Sequence, residues 1–351
     1  ANLIGNINAG GGGVNRNVII NGAMNVAQRG TSTTGLGGDG ANYSTVDRFY
    51  TYANGTAGRF TMTQDSSAPD GFANSLKLAC TTADTSIAAA EQLLLAQVIE
   101  GQNLQHLNKG TSSALPVAVS FYVKGNASAT YMCALIDNDN SRMSTKRFSV
   151  TTDWTRITIN VPADTTGTLD DDNAGSFNLN FYLHAGSNLT GGTYTESTWG
   201  ASTDANRAVG ISSFFDSTSR TFFITGVQLE VGQNPTEFEH EPYERTLAKC
   251  QRYFQKSIDY NDSESHEGVA TAYGGSNLRT QMQKLPVTMR SQPTLTLADG
   301  QWYSGSWETG ATFGSGDRTI DGFAVDVAHS GQFTQYRAYP VQYAFQADAE
   351  L

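Results

Sequence analysis

Strict alternation of apolar and polar residues recurs along this chain and constrains its fold more than any other feature. The clearest case is 154–161 (WTRITINV), and the same period occupies 116–124, 177–183 and 220–231. A period of two places alternate side chains on opposite faces of a β-strand. In 220–231 it predicts one face formed by Phe223, Thr225, Val227, Leu229 and Val231. The pattern therefore predicts antiparallel sheets with one buried and one solvated face.

Turn signals separate these segments. Glycine makes up 36 of the 351 residues, and charged residues only 16%. Hydrophobic residues make up 38%, and this fraction is sufficient for a hydrophobic core. The loops 124–126, 137–140 and 164–176 carry the Gly, Asn and Asp residues that turns favour. Many short strands joined in this way are typical of an all-β protein, a β-sandwich or jelly roll.

The net charge of −11 argues against a nucleic-acid partner, because the chain offers no broad basic face. No apolar stretch approaches the roughly 20 residues that span a bilayer, so we expect no membrane insertion. Cys80, Cys133 and Cys250 lie far apart and fit neither a disulfide framework nor a zinc site. We expect them to be reduced and mostly buried.

The two ends of the chain differ from its middle. Residues 1–17 are polar and contain a run of four glycines at 10–13, so they cannot fold alone. They are either a disordered tail or a docking arm that a partner orders. After 257 the alternation returns and aromatic residues scatter through the rest, which predicts a small second β domain over 258–351.

One amphipathic helix is predicted at 241–257, linking the two β regions. Pro242 suits its first position, and apolar residues then recur every three or four positions. This stripe either packs on the preceding sandwich or forms a contact between subunits. It consists of Tyr243, Leu247, Cys250 and Phe254. The segment 86–100 is ambiguous. Its composition favours a helix, but Gln92, Gln97 and Glu100 break a clean helical face, and a buried strand is the alternative.

Short motifs also occur in a fixed order along most of the chain. The first are NVIINGAM (17–24), QRG (28–30) and DRF (47–49). They are followed by GVQLEVG (226–232), CQRYF (250–254), PVTMR (286–290) and the terminal ADAEL (347–351). In sequence and spacing these motifs resemble those of tailed-phage virion structural proteins of the tail fibre or appendage type.

The resemblance implies a carbohydrate-binding-module-like jelly roll over 18–240, and by analogy a strand at 86–100. It also implies a homotrimer in a phage virion, assembled in the cytoplasm of a bacterial host. Residues 1–17 would then dock on other virion proteins. The sequence differs from that of a protein with a long fibrous shaft, because it has neither a heptad coiled coil nor a collagen-like repeat. A compact knob, a short fibre or a surface decoration therefore fits better.

Catalytic motifs are absent from the sequence, and we expect no enzyme activity. HExxH and GxSxG do not occur, and the formal GxGxxG match at 35–40 precedes no helix. We expect no cofactor, although the acidic loops 137–141 and 170–173 are candidate calcium sites. Asp and Asn are also ordinary turn residues, which is the alternative for both loops.

Sugar binding needs exposed aromatic rings beside hydrogen-bonding groups. The candidate platforms are Trp199, Trp302, Tyr303 and Trp307. The alternative for each is packing in a core or between subunits. The sequence thus favours a phage appendage that adheres to host-surface polysaccharide. A purely architectural virion role, as a decoration or tail connector, is the alternative, and a glycan depolymerase is a third hypothesis.

Overall fold

Antiparallel strands make up most of the regular structure in this computed structural model, which describes residues 15–257 and 266–351. The chain divides into two units, 1–246 and 247–351. The strands of the first unit are β1 (Ser32–Leu36), β2 (Gly40–Asn42), β3 (Tyr50–Asn54), β4 (Arg59–Asp65), β5 (Ser75–Thr82), β6 (Gln92–Glu100), β7 (Val117–Gly125), β8 (Ala129–Asp137), β9 (Arg142–Val150), β10 (Thr155–Val161), β11 (Gly175–Ala185), β12 (Gly200–Ala201) and β13 (Thr221–Val231).

These strands form two stacked sheets with one core between them, a jelly-roll sandwich. Within the described residues, six strands follow the order β1-β4-β5-β13-β7-β10, and seven follow β12-β9-β8-β11-β6-β3-β2. All four segments predicted from alternation are strands, namely β7, β10, β11 and β13. The all-β prediction is therefore confirmed. The strand expected at 86–100 is confirmed for Gln92–Glu100.

A β-bulge in β13 changes which residues face the core. Thr225 pairs with Tyr122 and Gln228 with Ser120, so β13 carries one residue more than its neighbour. The predicted single face from Phe223 to Val231 is therefore wrong in its first half. The side chains in the core are Phe222 and Ile224 before the bulge, and Val227 and Leu229 after it.

Both faces of the central strands are covered, in contrast to the predicted solvated face. On the seven-stranded sheet, Leu189 and Ala208 of the 187–212 segment pack on the outward side chains of β6, β8 and β11. This segment contains the short helix α1 (Ser187–Thr190). On the other sheet, Phe72 and Phe238 lie against the outer side, with ring centroids 5.0 Å apart. Long connections therefore act as a second layer, which alternation within a strand does not reveal.

The first described residues are held against β13. The backbone N–H groups of Asn15 and Asn17 donate to the Glu239 carboxylate at 2.6 and 2.9 Å. The Asn17 side chain donates to the Val227 carbonyl oxygen and accepts from the Leu229 N–H, both at 3.1 Å. Most of the predicted docking arm, residues 1–14, lies outside the described residues, so its docking role stays a prediction.

The second unit is built on one large sheet. In its described part the strands are β14 (Phe254–Lys256), β15 (His266–Gly274), β16 (Asn277–Thr280), β17 (Gln283–Lys284), β18 (Thr294–Tyr303), β19 (Trp307–Glu308), β20 (Thr312–Thr319), β21 (Gly322–Ala328) and β22 (Ala338–Asp348). The main path is β17-β21-β16-β15-β22-β18-β19, with β14 paired to β22 and β20 to β21. Phe323, Val325 and Tyr343 lie in its core.

The linking helix α2 (Tyr243–Gln251) is shorter than the predicted 241–257. It ends because Phe254–Lys256 leaves helical geometry and pairs with β22, Phe254 opposite Asp348. The predicted contact stripe is consequently split. Tyr243 is 56% exposed, whereas Cys250 and Phe254 are 1% and 2% exposed. Those two side chains are buried within one chain, so they are unavailable for a contact between subunits. Leu247 is partly exposed.

All three cysteines, Cys80, Cys133 and Cys250, are buried, as expected. In the described part of the chain, no helix combines the length and apolar character needed to cross a membrane.

Candidate functional site

Trp302 is the one predicted platform that the structure removes from the surface. Only 3% of it is exposed, and its ring packs edge-on against Phe333 and Tyr339, with centroids 5.0 and 5.8 Å away. Trp302 therefore belongs to the core of the second unit, and the prediction that it binds sugar is wrong.

Tyr303 and Trp307 form an exposed aromatic pair on the neighbouring hairpin. They face each other across β18 and β19, with ring centroids 5.5 Å apart and an interplanar angle of 66°. Each is 40% exposed. The turn between them includes Gly305 at a φ of +125°, a backbone conformation that glycine adopts without strain. The tight turn thus places both rings at the end of the hairpin.

Polar groups lie beside this pair. The Ser306 hydroxyl donates to the Glu308 carboxylate at 2.7 Å, and the Ser304 N–H donates to the Ser306 carbonyl oxygen at 3.1 Å. Exposed rings beside hydroxyl and carboxylate groups can pack on an apolar face and hydrogen-bond at its rim. The hairpin therefore combines the two kinds of contact that a polyhydroxylated ligand needs.

Trp199 closes one edge of the sandwich. Its indole Nε1–H donates to the Pro162 carbonyl oxygen at 2.9 Å, and its ring lies 6.0 Å from that of Phe177. The Lys109 ammonium lies 5.3 Å from the centre of the ring. Trp199 is therefore partly buried, and three neighbours, Pro162, Phe177 and Lys109, hold its ring against the sandwich.

A buried ion network lies next to Trp199. Lys109 Nζ is 2.5 Å from Asp137 Oδ2 and 3.1 Å from Asp164 Oδ2, and Arg142 Nε is 2.7 Å from Asp164 Oδ2. Burial alone would raise the pKa of Asp164. Hydrogen bonds from Arg142 and Lys109 outweigh it and hold that pKa below its ordinary value. The network joins β8 and β9 to the loops that follow β10 and precede β7.

The two acidic loops lie close together, and the carboxylates of Asp137, Asp139 and Asp172 accept hydrogen bonds. Asp137 is fully buried and paired with Lys109. Asp139 Oδ2 accepts from the Asp170 N–H at 3.0 Å, and Asp172 Oδ1 accepts from the Ala174 N–H at 2.9 Å. These contacts shape turns and an ion pair. Calcium binding at 137–141 or 170–173 stays a prediction.

A second aromatic surface was missed by the sequence reasoning. Tyr43, Tyr50 and Tyr52 are partly exposed, and the rings of Tyr43 and Tyr50 lie 5.1 Å apart. Burial and then the neighbouring Tyr182 raise the pKa of Tyr50 to about 12, so its hydroxyl is neutral at physiological pH. The alternation of Tyr50 and Tyr52 in β3 is a signal that could have found this tyrosine strip.

No model of a known protein family matches this chain, and no curated protein matches it. Several solved structures are similar to it. One is an enzymatically active domain of tailspike protein 4 of bacteriophage CBA120, with 12% identity and a TM-score of 0.34 over 62% of this chain and 21% of that chain.

Other similar structures are carbohydrate-binding modules. TmCBM61, in complex with β-1,4-galactotriose, has 10% identity and a TM-score of 0.31 over 62% of this chain and 99% of that chain. The family 11 module from Clostridium thermocellum, in complex with a mixed-linked tetrasaccharide, has 13% identity and a TM-score of 0.28 over 60% of this chain and 98% of that chain. Similarity at this level assigns no function to the chain.

Proposed function

We propose that this chain is a non-enzymatic structural protein of a tailed-phage virion, a tail fibre or receptor-binding appendage that adheres to host-surface glycan. The order of its sequence motifs supports the virion assignment, including assembly in the cytoplasm of a bacterial host. The exposed pair Tyr303 and Trp307 is the observation that carries the glycan assignment.

The chemistry of adhesion follows from the hairpin. A sugar ring has an apolar C–H face that can pack on an aromatic ring, and hydroxyl groups at its edge that need hydrogen-bonding partners. Tyr303 and Trp307 supply two inclined ring faces, and Ser306 and Glu308 supply polar atoms beside them. Because apolar rings exposed on a monomer surface commonly mark interaction sites, this pair is the preferred contact.

Binding to polysaccharide tests this directly. In affinity electrophoresis through a panel of bacterial surface polysaccharides, the wild-type protein should be retarded by at least one of them. Aromatic anchors at the centre of a contact cost about 2 kcal/mol when truncated, which is about 30-fold in affinity. In the double variant Tyr303→Ser, Trp307→Ser, the affinity for that polysaccharide should fall by about this factor, and the retardation should fall with it.

Two controls make the result specific. Tyr336→Ser alters a tyrosine of the same unit that is 81% exposed, and it should leave binding unchanged. The variant Tyr50→Ser, Tyr52→Ser tests the tyrosine strip and should also bind. If only this last variant lost binding, the hairpin assignment would be wrong.

Two other outcomes would favour the alternative functions. If no polysaccharide bound, adhesion would be rejected in favour of an architectural role. Release of reducing ends from a polysaccharide would indicate a depolymerase.

We also propose that the protein is a homotrimer, in which several weak glycan contacts gain avidity together. Tyr243, 56% exposed on α2, with the partly exposed Leu247, is the proposed subunit contact. Light scattering at micromolar concentration should give three times the mass of one chain, and Tyr243→Asp should shift it toward the monomer. Tyr336→Asp is the matched control. A monomer for the wild-type protein would contradict the trimer.

A further inference from the structure

Three potential metal-ligating side chains meet at one end of the sandwich. Asp84 follows β5, Glu91 directly precedes β6, and His184 lies near the end of β11. Glu91 and His184 are brought together because Gln92 pairs with Ala185 across the two strands. The ligand atoms of the three side chains all lie within 4.8 Å of one another.

The cluster is buried and has an excess of negative charge. Asp84, Glu91 and His184 are 6%, 5% and 0% exposed. Glu91 Oε2 lies 3.2 Å from His184 Nε2. Within the part of the chain that the structure describes, Asp84 accepts hydrogen bonds from neutral groups, the Thr56 hydroxyl and the Ala57 and Ser86 N–H groups. Among residues 15–257 and 266–351, no lysine or arginine forms an ion pair with either carboxylate. Buried carboxylates of this kind are normally paired with a cation or bound to a metal.

The imidazole is held in a fixed orientation. Its Nδ1 lies 2.8 Å from Ser213 Oγ, which also accepts the Phe215 N–H, and its Nε2 lies 3.2 Å from Glu91 Oε2. The Phe215 ring packs edge-on against it, with centroids 5.2 Å apart. Burial lowers the pKa of His184, and the nearby Glu91 and Asp84 carboxylates oppose that shift. A second group that orients the ring is typical of metal-binding histidines.

We propose that Asp84, Glu91 and His184 bind one divalent transition-metal ion of the zinc type. One nitrogen and two carboxylate oxygens are a zinc-type donor set, whereas calcium takes oxygen donors. Zinc lies about 2.1 Å from such donors, which places them roughly 3.4 Å apart, so small side-chain rotations would close the cluster. The ion would replace the proton between His184 and Glu91 and tie the β5–β6 connection to β11.

The test uses the whole chain of 351 residues after treatment with EDTA. Isothermal titration with Zn²⁺ should show one site per chain, and zinc should raise the melting temperature by several degrees. Co²⁺ should give the visible absorption bands of a low-coordinate N/O site. His184→Gln and Glu91→Gln should each weaken zinc binding at least tenfold. His106→Gln, which alters an exposed histidine elsewhere in the same unit, should bind as the wild type does.

Each alternative outcome has a definite meaning. Failure of the wild-type protein to bind zinc or cobalt at about 100 µM would overturn the proposal, and so would unchanged binding in both variants. Stabilisation by Ca²⁺ but not by Zn²⁺ would overturn the choice of metal. If the His184 variant does not fold, the wild-type cobalt spectrum and the Glu91 variant still decide. None of these outcomes depends on glycan binding.

Discussion

Replacing Lys109 by methionine should lower the free energy of unfolding by about 3–5 kcal/mol. Lys109 is 7% exposed, and its ammonium contacts Asp137 and Asp164, which are 0% and 6% exposed. It also donates to the carbonyl oxygens of Thr166 and Gly167 at 2.8 and 2.9 Å. Methionine keeps most of the side-chain volume but leaves two buried carboxylates and two carbonyl groups without this cation, which is the cause of the loss.

A matched control is Lys77→Met. Lys77 Nζ lies 3.2 Å from Asp65, but both side chains are partly exposed, at 31% and 22%. An ion pair of this kind contributes no more than about 1 kcal/mol. Urea unfolding of the two variants at pH 7 makes the comparison. Equal losses for Lys109→Met and Lys77→Met would contradict the burial argument.

The pH dependence of the free energy of unfolding is a second test of the Lys109 prediction. The pKa of Asp164 is below its ordinary value in the folded protein, so its stabilisation is fully present above the unfolded pKa, about 3.9. That stabilisation is lost as the pH falls through the lower, folded value. The difference between wild type and Lys109→Met should therefore shrink below about pH 4. A constant difference from pH 7 to pH 3 would show that lost packing, and not charge, is responsible.

Gly226→Ala should lower the free energy of unfolding by about 2–4 kcal/mol. Gly226 lies in the β13 bulge at a φ of +61°, where L-residues are strained. A Cβ atom there would come within 2.7 Å of the Phe72 ring and 2.9 Å of the Tyr122 ring. Strain and overpacking therefore add, and the change in the urea midpoint measures their sum.

Gly200→Ala is the control for this prediction. Gly200 lies in β12 of the same unit, without a positive φ and with no atom within 4 Å of an added Cβ. It should be neutral or slightly stabilising, because alanine restricts the unfolded chain. A Gly226→Ala protein as stable as this control would mean that the bulge tolerates a side chain.

The bulge also marks the limit of prediction from alternation. The period of two located β13 correctly, but a single extra residue at Gly226 shifts the phase, so Phe222 and Ile224 face the core in place of Phe223 and Thr225. Bulges are set by pairing with the neighbouring strand, which one segment alone does not contain. The covering of both sheets' outer faces by connecting segments also depends on contacts between distant segments, so the alternation within one strand did not show it.

The structure gives the short motifs a physical role that their order along the sequence did not reveal. Asn17 of the first motif hydrogen-bonds to Val227 and Leu229 of the motif at 226–232, which lie more than 200 positions away. The Gln28 N–H donates to Asp47 Oδ1 at 2.9 Å, joining two further motifs. These motif residues therefore hold distant parts of the sandwich together.

The aromatic site was partly predictable. Because neighbours on a strand point to opposite faces, Trp302 and Tyr303 do not share one face of the sheet. Which of them is exposed depends on the core that β18 joins, and the structure places Trp302 inside. The cluster of Asp84, Glu91 and His184 was not predictable from spacing, because its members come from three separate segments that meet only in the fold.

The central claim is that Tyr303 and Trp307 contact the glycan. Hydroxyl-radical footprinting tests it most directly, because it reports the solvent access of individual rings. The protein is footprinted with and without the polysaccharide that retards it in electrophoresis. We predict that oxidation of Tyr303 and Trp307 falls when the polysaccharide is present, while that of Tyr50, Tyr52 and Tyr336 is unchanged. Unchanged oxidation of Tyr303 and Trp307 under saturating polysaccharide would contradict the account.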